Sequence, residues 1–250
     1  EAGDVYQYET EHHRYEAVYS GPQTINGEQT FTVTNRRLGN IDLTVTKTWN
    51  DGDGKLREAL NNLPAEYKVT PTIELEFGNG FTPDENDKIG EDFVTIGGQD
   101  TPILNKDGSE GSSSQEISLD TVNGNTQEIY FFNLPKYDPD DGSVATYQVR
   151  EVWKTPEGDK STREMKDYVA AIQEDFDGKA ELLALLGEFS SSISYGQYQA
   201  NDEAGTVAGN IQHDTQPISV TNGLGNTKDV KWYKPVSYTH LRAHETAANL

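Results

Sequence analysis

The chain contains no cysteine among its 250 residues. This absence excludes disulfides, thiolate zinc sites and cysteine nucleophiles together. A domain built from this sequence therefore depends on other interactions for its stability.

Basic residues are also scarce, with 20 Lys and Arg against 42 Asp and Glu and a net charge of −22. Nucleic-acid binding requires clustered basic side chains, and an anionic membrane surface attracts the same clusters, so both classes of partner are disfavoured. No apolar run approaches the roughly 18 to 20 residues that span a bilayer. The sequence predicts no membrane insertion in this segment.

What the sequence does contain is short alternating segments separated by polar turns. Hydrophobic residues make up 33% of the chain, and glycine is abundant, which is typical of a β-rich protein with long polar loops. Alternation of apolar and polar residues predicts five strands in the central part of the chain. They are 42–49, 71–77, 128–133, 146–153 and 216–222.

Three of these strands carry one polar residue on the face that is otherwise apolar. In the first strand it is Lys47, which alternation places on the same side as Trp49. In the fourth strand it is Glu151, on the same side as Trp153, and in the last strand it is Asn222. Buried charges must be paired or neutralised, so these three side chains are expected to meet in the core.

The ending Phe31-Thr-Val-Thr-Asn35 recurs as Ile218-Ser-Val-Thr-Asn222, and Leu-Gly-Asn follows each copy within three residues. This recurrence indicates an array of similar domains. Alternation predicts that Asn35, like Asn222, faces inward.

A helical insertion is predicted before the last strand, over 161–189. Ser161 and Glu164 have the spacing of a capping box, and apolar residues then recur at intervals of three and four. The apolar face is expected to pack against the sheets, and a groove for a partner is the alternative.

Three motifs in the same order resemble a known family. "VTKTW" opens the unit, "FFNLPKYDPDDG" leads into "YQVRE", and "ISVTN" closes it. Together they are similar to the collagen-adhesin B-type (CnaB) domain of Gram-positive surface proteins. The resemblance implies an all-β fold, an Ig-like, prealbumin-like Greek-key β-sandwich, here with the small helical insertion.

The resemblance also implies a chemistry and a division of the chain. In this family a lysine on the first strand forms a spontaneous isopeptide bond to an asparagine on the last, promoted by a buried acid. By position these are Lys47, Asn222 and Glu151, while Asn35 and Lys234 are the counterparts in partial units. The divisions implied are a preceding CnaB-like fragment at 1–37, a linker at 38–40, the complete domain at 41–222, a linker with a further first strand at 223–235, and a tail at 236–250.

The residue types suit that reaction on physical grounds alone. A lysine attacks a carbonyl only as the neutral amine, and burial lowers a lysine pKa while it raises that of a glutamate. A protonated Glu151 can polarise the amide of Asn222 and transfer a proton to the departing ammonia. The alternative is an unreactive buried ion pair between Lys47 and Glu151, with Asn222 hydrogen-bonded to both.

The function expected from the resemblance is that of a stalk or spacer repeat in a bacterial cell-surface adhesin, extracellular and anchored to the cell wall. Its partners would be neighbouring repeats of the same chain, and the segment would be monomeric. A module that binds a glycan or a host matrix protein is the main alternative, because the stretches 78–127 and 155–210 are longer than is usual for the family. A hydrolase has little support, since no nucleophile elbow or metal motif stands out. We therefore expect no turnover enzyme and no cofactor.

No metal site is expected either. The acidic turns at Asp51 and Asp53 and at 138–142 lack the glycine and glutamate positions of an EF-hand loop, so they are interpreted as solvated turns. The tail 236–246 resembles the translation of a sequencing adapter, as found in metagenome assemblies. We expect 236–250 not to be natural protein, the alternative being a genuine irregular tail.

Overall fold

Strands are the commonest secondary structure of the described residues, as the alternating sequence predicts. The computed structural model describes residues 5–9, 14–78, 81–122, 124–194 and 218–224. The strands there are β1 Val5–Glu9, β2 Arg14–Ile25, β3 Glu28–Leu38, β4 Asn40–Asn50, β5 Thr70–Phe77, β6 Lys88–Ile89, β7 Phe93–Ile96, β8 Gln99–Pro102, β9 Ser114–Glu116, β10 Thr126–Pro135, β11 Tyr147–Lys154, β12 Phe189–Ser194 and β13 Ile218–Leu224. The helices are α1 Lys55–Asn61, α2 Met165–Ala171 and α3 Lys179–Glu188, with 3-10 turns at Ala65–Tyr67 and Thr162–Glu164.

The first three strands form an antiparallel sheet of their own in the order β1-β2-β3. The β2–β3 hairpin turns at Asn26 and Gly27, which both have positive φ, as a tight two-residue hairpin requires. Phe31 and Val33 lie on the same face of β3 as Asn35, and they are 64% and 49% exposed.

The prediction that Asn35 faces inward is wrong for the described structure. Its side chain is exposed, although alternation does place it on the apolar face of β3 with Phe31 and Val33. The pleat decides which residues share a face, but burial requires a second layer over that face. Among the described residues no such layer covers this end of β3.

Two sheets form the sandwich of the central unit. One has the order β10-β4-β13-β12 and the other the order β11-β5-β9. Strand β13 lies parallel to β4, with Val220 opposite Lys47 and Asn222 opposite Trp49. The first and last strands of the unit are therefore neighbours, although almost the whole unit separates them in sequence. A third small sheet, β6-β7-β8, lies in the long stretch between β5 and β10.

The core lies between the two sheets of the sandwich. Inward residues of β4, β5, β10, β11 and β13 belong to one buried cluster, and the members with almost no exposure include Val45, Ile73, Phe131, Trp153 and Val220. The all-β sandwich that the sequence predicts is thus the fold that the described chain has.

The helical insertion packs against this core, as expected. The capping box of Ser161 and Glu164 is present at the start of the 3-10 turn. Met165 and Val169 of α2 and Leu182 of α3 are fully buried members of the core cluster. The apolar helical face is therefore occupied by the sandwich itself.

The predicted domain boundaries can be compared with the ends of the strands. Of the predicted linker 38–40, only Gly39 lies outside a strand, because Leu38 still pairs with Arg14 and Asn40 already pairs with Pro135. The predicted following strand with Lys234 and the tail 236–250 lie outside the described residues. Within the described part, no helix is long and apolar enough to cross a membrane.

Candidate cross-linking site

Strand β4 places Lys47 in the core of the sandwich. The pleat points Leu43, Val45, Lys47 and Trp49 to one side, and all four are buried. Lys47 itself is 0% exposed. A charged ammonium at this position must find a partner or lose its proton.

Glu151 reaches the same point from β11 in the facing sheet. Its Oε1 lies 2.9 Å from Nζ of Lys47, and the side chain of Glu151 is 2% exposed. The contact is close, and among the described residues Nζ has no hydrogen bond of good geometry. The pair is therefore an ion pair with incomplete hydrogen bonding.

Asn222 completes the group from β13, beside β4. Its Nδ2 donates a hydrogen bond of 2.9 Å to the same Oε1 of Glu151, and the residue is 0% exposed. The other amide atom, Oδ1, is buried and has no hydrogen-bond partner within the part of the chain that the structure describes. The nitrogens of Lys47 and Asn222 both contact one carboxylate oxygen, so they are separated by no more than twice that distance.

Aromatic rings surround the three polar side chains. Nζ of Lys47 lies 4.0 Å from the centroid of the Trp49 ring. Trp49 in turn meets Trp153 edge to face and stacks on Phe189, with centroids 6.1 and 6.5 Å apart. These rings supply a cation–π contact and an apolar, low-dielectric environment around the amine.

The pKa of Lys47 is lowered by this environment. Burial is the largest cause, because it penalises the ammonium, while the carboxylates of Glu151 and Asp51 oppose the change and the guanidinium of Arg57 adds to it. The net direction favours the neutral amine, which is the nucleophilic form.

The structure thus brings together Lys47, Glu151 and Asn222, the three side chains that alternation predicts to face inward. Asn35 lies on the surface of the first sheet, away from this group, and Lys234 lies outside the described residues. Two further features of the surroundings are not predicted by the sequence pattern.

The first is Thr162, whose hydroxyl donates a 2.8 Å hydrogen bond to Oε2 of Glu151. It lies in the 3-10 turn after the capping residue Ser161. The capping box was the only sequence signal near it, and a capping box predicts a helix start rather than a contact with an acid.

The second is a buried ion pair between Asp51 and Arg57. Nε of Arg57 lies 2.9 Å from Oδ2 of Asp51, and both side chains are almost fully buried. The interpretation of Asp51 as part of a solvated turn is wrong, because helix α1 begins directly after the turn and folds Arg57 back onto it. Arg57 also donates to the backbone carbonyl oxygens of Asp120 and Gly124.

The described residues contain no group of three or more His, Asp or Glu side chains that could hold a metal ion. Comparison of the chain with known protein families, with curated proteins and with solved structures finds no match.

Proposed function

We propose that the central unit forms an intramolecular isopeptide bond between Lys47 and Asn222, promoted by Glu151. The observation that carries the proposal is that Nζ of Lys47 and Nδ2 of Asn222 both lie 2.9 Å from Oε1 of one buried carboxylate. Nucleophile, electrophile and acid are thus gathered in a single core, so a bimolecular encounter is replaced by a fixed arrangement.

The reaction begins with transfer of a proton from the ammonium of Lys47 to Oε1 of Glu151, which leaves two neutral groups. A half-turn of the Asn222 amide about its Cβ–Cγ bond then presents Oδ1 to the protonated Oε1. The Oε1–H group donates to Oδ1, an atom for which the described residues offer no other hydrogen-bond partner. This hydrogen bond withdraws electrons from Cγ and prepares it for attack.

The lone pair of Nζ then attacks Cγ. Glu151 accepts a proton from the attacking nitrogen and returns one to Nδ2, the Cγ–Nδ2 bond breaks, and ammonia leaves. An amide between Nζ and Cγ replaces the side-chain amide of Asn222, and Glu151 is left as the neutral acid, with the net proton that Lys47 gave up in the first step. The reaction occurs once per molecule.

The alternative is a static ion pair in which nothing reacts. A buried pair of this kind is stabilising only if its remaining hydrogen-bonding groups are satisfied. Among the described residues Oδ1 of Asn222 has no hydrogen-bond partner, and Nζ of Lys47 has only its ion-pair contact with Glu151. That deficit supports a reactive arrangement over a purely structural one.

The biological role that we propose is a stalk or spacer repeat of a bacterial cell-surface adhesin. The motifs "VTKTW", "YQVRE" and "ISVTN" support this role by resemblance, and the parallel pairing of β4 with β13 supports it physically. A covalent bond between the first and last strands lets a pulling force bypass the fold between them. Without cysteine, this bond would be a cross-link that reduction cannot open.

A glycan-binding module has less support from the described residues. Sugar binding by stacking requires exposed aromatic rings, and Trp49 and Trp153 are 2% and 0% exposed. Both indoles are packed in the core instead.

Intact mass spectrometry of the purified, folded protein tests the proposal. The wild type is expected to be lighter than its sequence mass by one ammonia, and Lys47→Ala, Glu151→Ala and Asn222→Ala are each expected to restore the full mass. Lys136→Ala is the matched control, because Lys136 is also a buried lysine, at 3% exposure, and it directly follows β10. A folded wild type of unchanged mass would refute the bond.

A further inference from the structure

A short hydrogen-bond chain leads from the indole of Trp153 to the acid of the site. Nε1 of Trp153 donates a 3.1 Å hydrogen bond to Oγ1 of Thr162, and Oγ1 donates a 2.8 Å hydrogen bond to Oε2 of Glu151. Trp153 and Glu151 are two residues apart on β11, so both side chains project from the same face of the strand, where Thr162 contacts both.

The donor-to-acceptor direction of these two hydrogen bonds follows from the chemistry of the Trp153 indole. An indole N–H can only donate, so Oγ1 of Thr162 must act as its acceptor. The hydroxyl hydrogen of Thr162 is then directed to Oε2 of Glu151. If the hydroxyl turned to accept a proton from Oε2, it would give up its only acceptor among the described residues.

The backbone holds Thr162 in place. Trp153 and Lys160 exchange two backbone hydrogen bonds of 2.8 and 2.9 Å, which fold the chain back over the end of β11. Glu164 accepts a 2.8 Å hydrogen bond from the backbone N–H of Ser161 and thereby fixes the following turn. Thr162 is thus presented to Glu151 by a short hairpin and a capped 3-10 turn.

We propose that Thr162 is a positioning residue that directs the acidic proton of Glu151 onto Oε1. A carboxyl group carries one proton, and a proton on Oε2 would make that oxygen a much poorer acceptor for the Thr162 hydroxyl. The proton removed from Lys47 is therefore held on the oxygen that contacts both Lys47 and Asn222. This inference rests on the proposed isopeptide reaction and adds to it the choice between the two carboxylate oxygens.

The hydroxyl of Thr162, rather than its shape, should determine the rate of cross-linking. Thr162→Val keeps the shape and removes the hydrogen bond, so bond formation is expected to slow by about tenfold or more, the value of one hydrogen bond to a charged group. Thr162→Ser keeps the hydroxyl and should cross-link within about threefold of the wild-type rate, since only a methyl group is lost. The rate is read as loss of ammonia by intact mass during refolding from denaturant.

Thr72→Val is the matched control. The hydroxyl of this buried threonine donates to the carbonyl oxygen of Val152, which lies on β11 next to Glu151. The Thr72→Val variant should cross-link at the wild-type rate, although it loses one buried threonine hydrogen bond, as Thr162→Val does. Circular dichroism confirms that each variant is folded, and Thr162→Ala replaces Thr162→Val if the valine variant does not fold.

Trp153→Phe tests the direction of the chain. Without the indole N–H, Oγ1 of Thr162 loses the hydrogen bond that helps to hold it beside Oε2, so this variant is also expected to slow cross-linking, and Thr162→Val added to it should slow the reaction little further.

The possible outcomes separate the two proposals. A wild type that loses ammonia together with a Thr162→Val variant that reacts equally fast would overturn the role of Thr162 alone. A serine variant as slow as the valine variant would overturn it as well, because the hydroxyl would then be irrelevant. A wild type that never loses ammonia refutes the isopeptide bond and this inference with it.

Discussion

Trp49 and Trp153 meet edge to face across the sandwich, with ring centroids 6.1 Å apart, one indole coming from each sheet. Lys47 lies beside this contact, with its Nζ 4.0 Å from the centre of the Trp49 ring. The two tryptophans thus join the sheets at the level of the proposed bond. They also help to keep water away from an amine whose reactivity depends on being neutral.

Replacement of Trp49 should therefore destabilise the fold even when no bond can form. In an Asn222→Ala background, Trp49→Leu is expected to lower the free energy of unfolding by about 3 kcal/mol, because it leaves a cavity and loses two aromatic contacts. Urea unfolding followed by circular dichroism measures the change. Phe31→Leu in the same background is the control, and as Phe31 is 64% exposed it should change stability by less than about 0.5 kcal/mol.

The lowered pKa of Lys47 predicts a specific pH dependence. Between the folded-state value and the ordinary value of 10.5, the unfolded chain binds more protons than the folded chain, so unfolding becomes less favourable as the pH rises. The unlinked Asn222→Ala protein should therefore gain stability through this window. Below the folded-state pKa, Lys47 is protonated in both states and contributes no slope.

The measurement is a series of urea unfolding curves from about pH 7 to about pH 10, where the linkage applies. Other groups titrate in the same range, so the reference is Asn222→Ala carrying Lys47→Met and Glu151→Gln as well, which removes the coupled pair. Stability that falls relative to this reference as the pH rises would show that the Glu151 carboxylate outweighs burial and raises the pKa of Lys47.

The buried pair of Asp51 and Arg57 gives a prediction about folding rather than cross-linking. Arg57→Met should destabilise the unlinked protein by about 3 to 5 kcal/mol, because it leaves the Asp51 carboxylate buried without its partner. Adding Asp51→Asn should recover part of that loss, since the uncompensated charge is then gone. The difference in unfolding free energy between the two variants reports the cost of the isolated charge.

Arg150→Met is the comparison for that experiment. Arg150 makes ion pairs with Glu74 and Glu76, but its side chain is 55% exposed. Exposed ion pairs contribute less than about 1 kcal/mol, so the free energy of unfolding of this variant should be close to that of the unlinked protein without the substitution. Equal losses for Arg57→Met and Arg150→Met would contradict the importance of burial.

The faces of the strands could be predicted from the sequence because a strand has a strict two-residue period. That period alone identifies Lys47, Glu151 and Asn222 as inward, and the buried positions of all three agree with it. For Asn35 the same period correctly groups it with Phe31 and Val33 but fails to predict its exposure. Burial depends on a facing layer, which no local pattern encodes.

The remaining parts of the site depend on contacts between distant or irregular segments. Thr162 lies in a single 3-10 turn, too short to have a period, and it reaches Glu151 only because the preceding hairpin folds back. The sequence around Asp51 predicts only a turn. The ion pair with Arg57 of helix α1, which buries Asp51, forms only in the folded structure. Strand β12 begins at Phe189, where the apolar helical pattern was expected to end, because its serine-rich sequence acquires strand structure by pairing with β13.

The proposed covalent bond should contribute a large stabilisation that can be measured directly. Joining Lys47 to Asn222 closes almost the whole central unit into one loop, and restriction of the unfolded chain then stabilises the fold by roughly 5 kcal/mol, by analogy with a disulfide of the same span. The linked wild type is expected to unfold at a markedly higher temperature than Asn222→Ala.

Because Asn222→Ala also removes a buried hydrogen bond, Glu151→Gln, which retains a polar side chain of the same shape, is the second unlinked reference. A reducing agent should change neither melting temperature, since the chain has no cysteine. A linked protein no more stable than both references would mean that the bond strains the native sandwich as much as it restricts the unfolded chain.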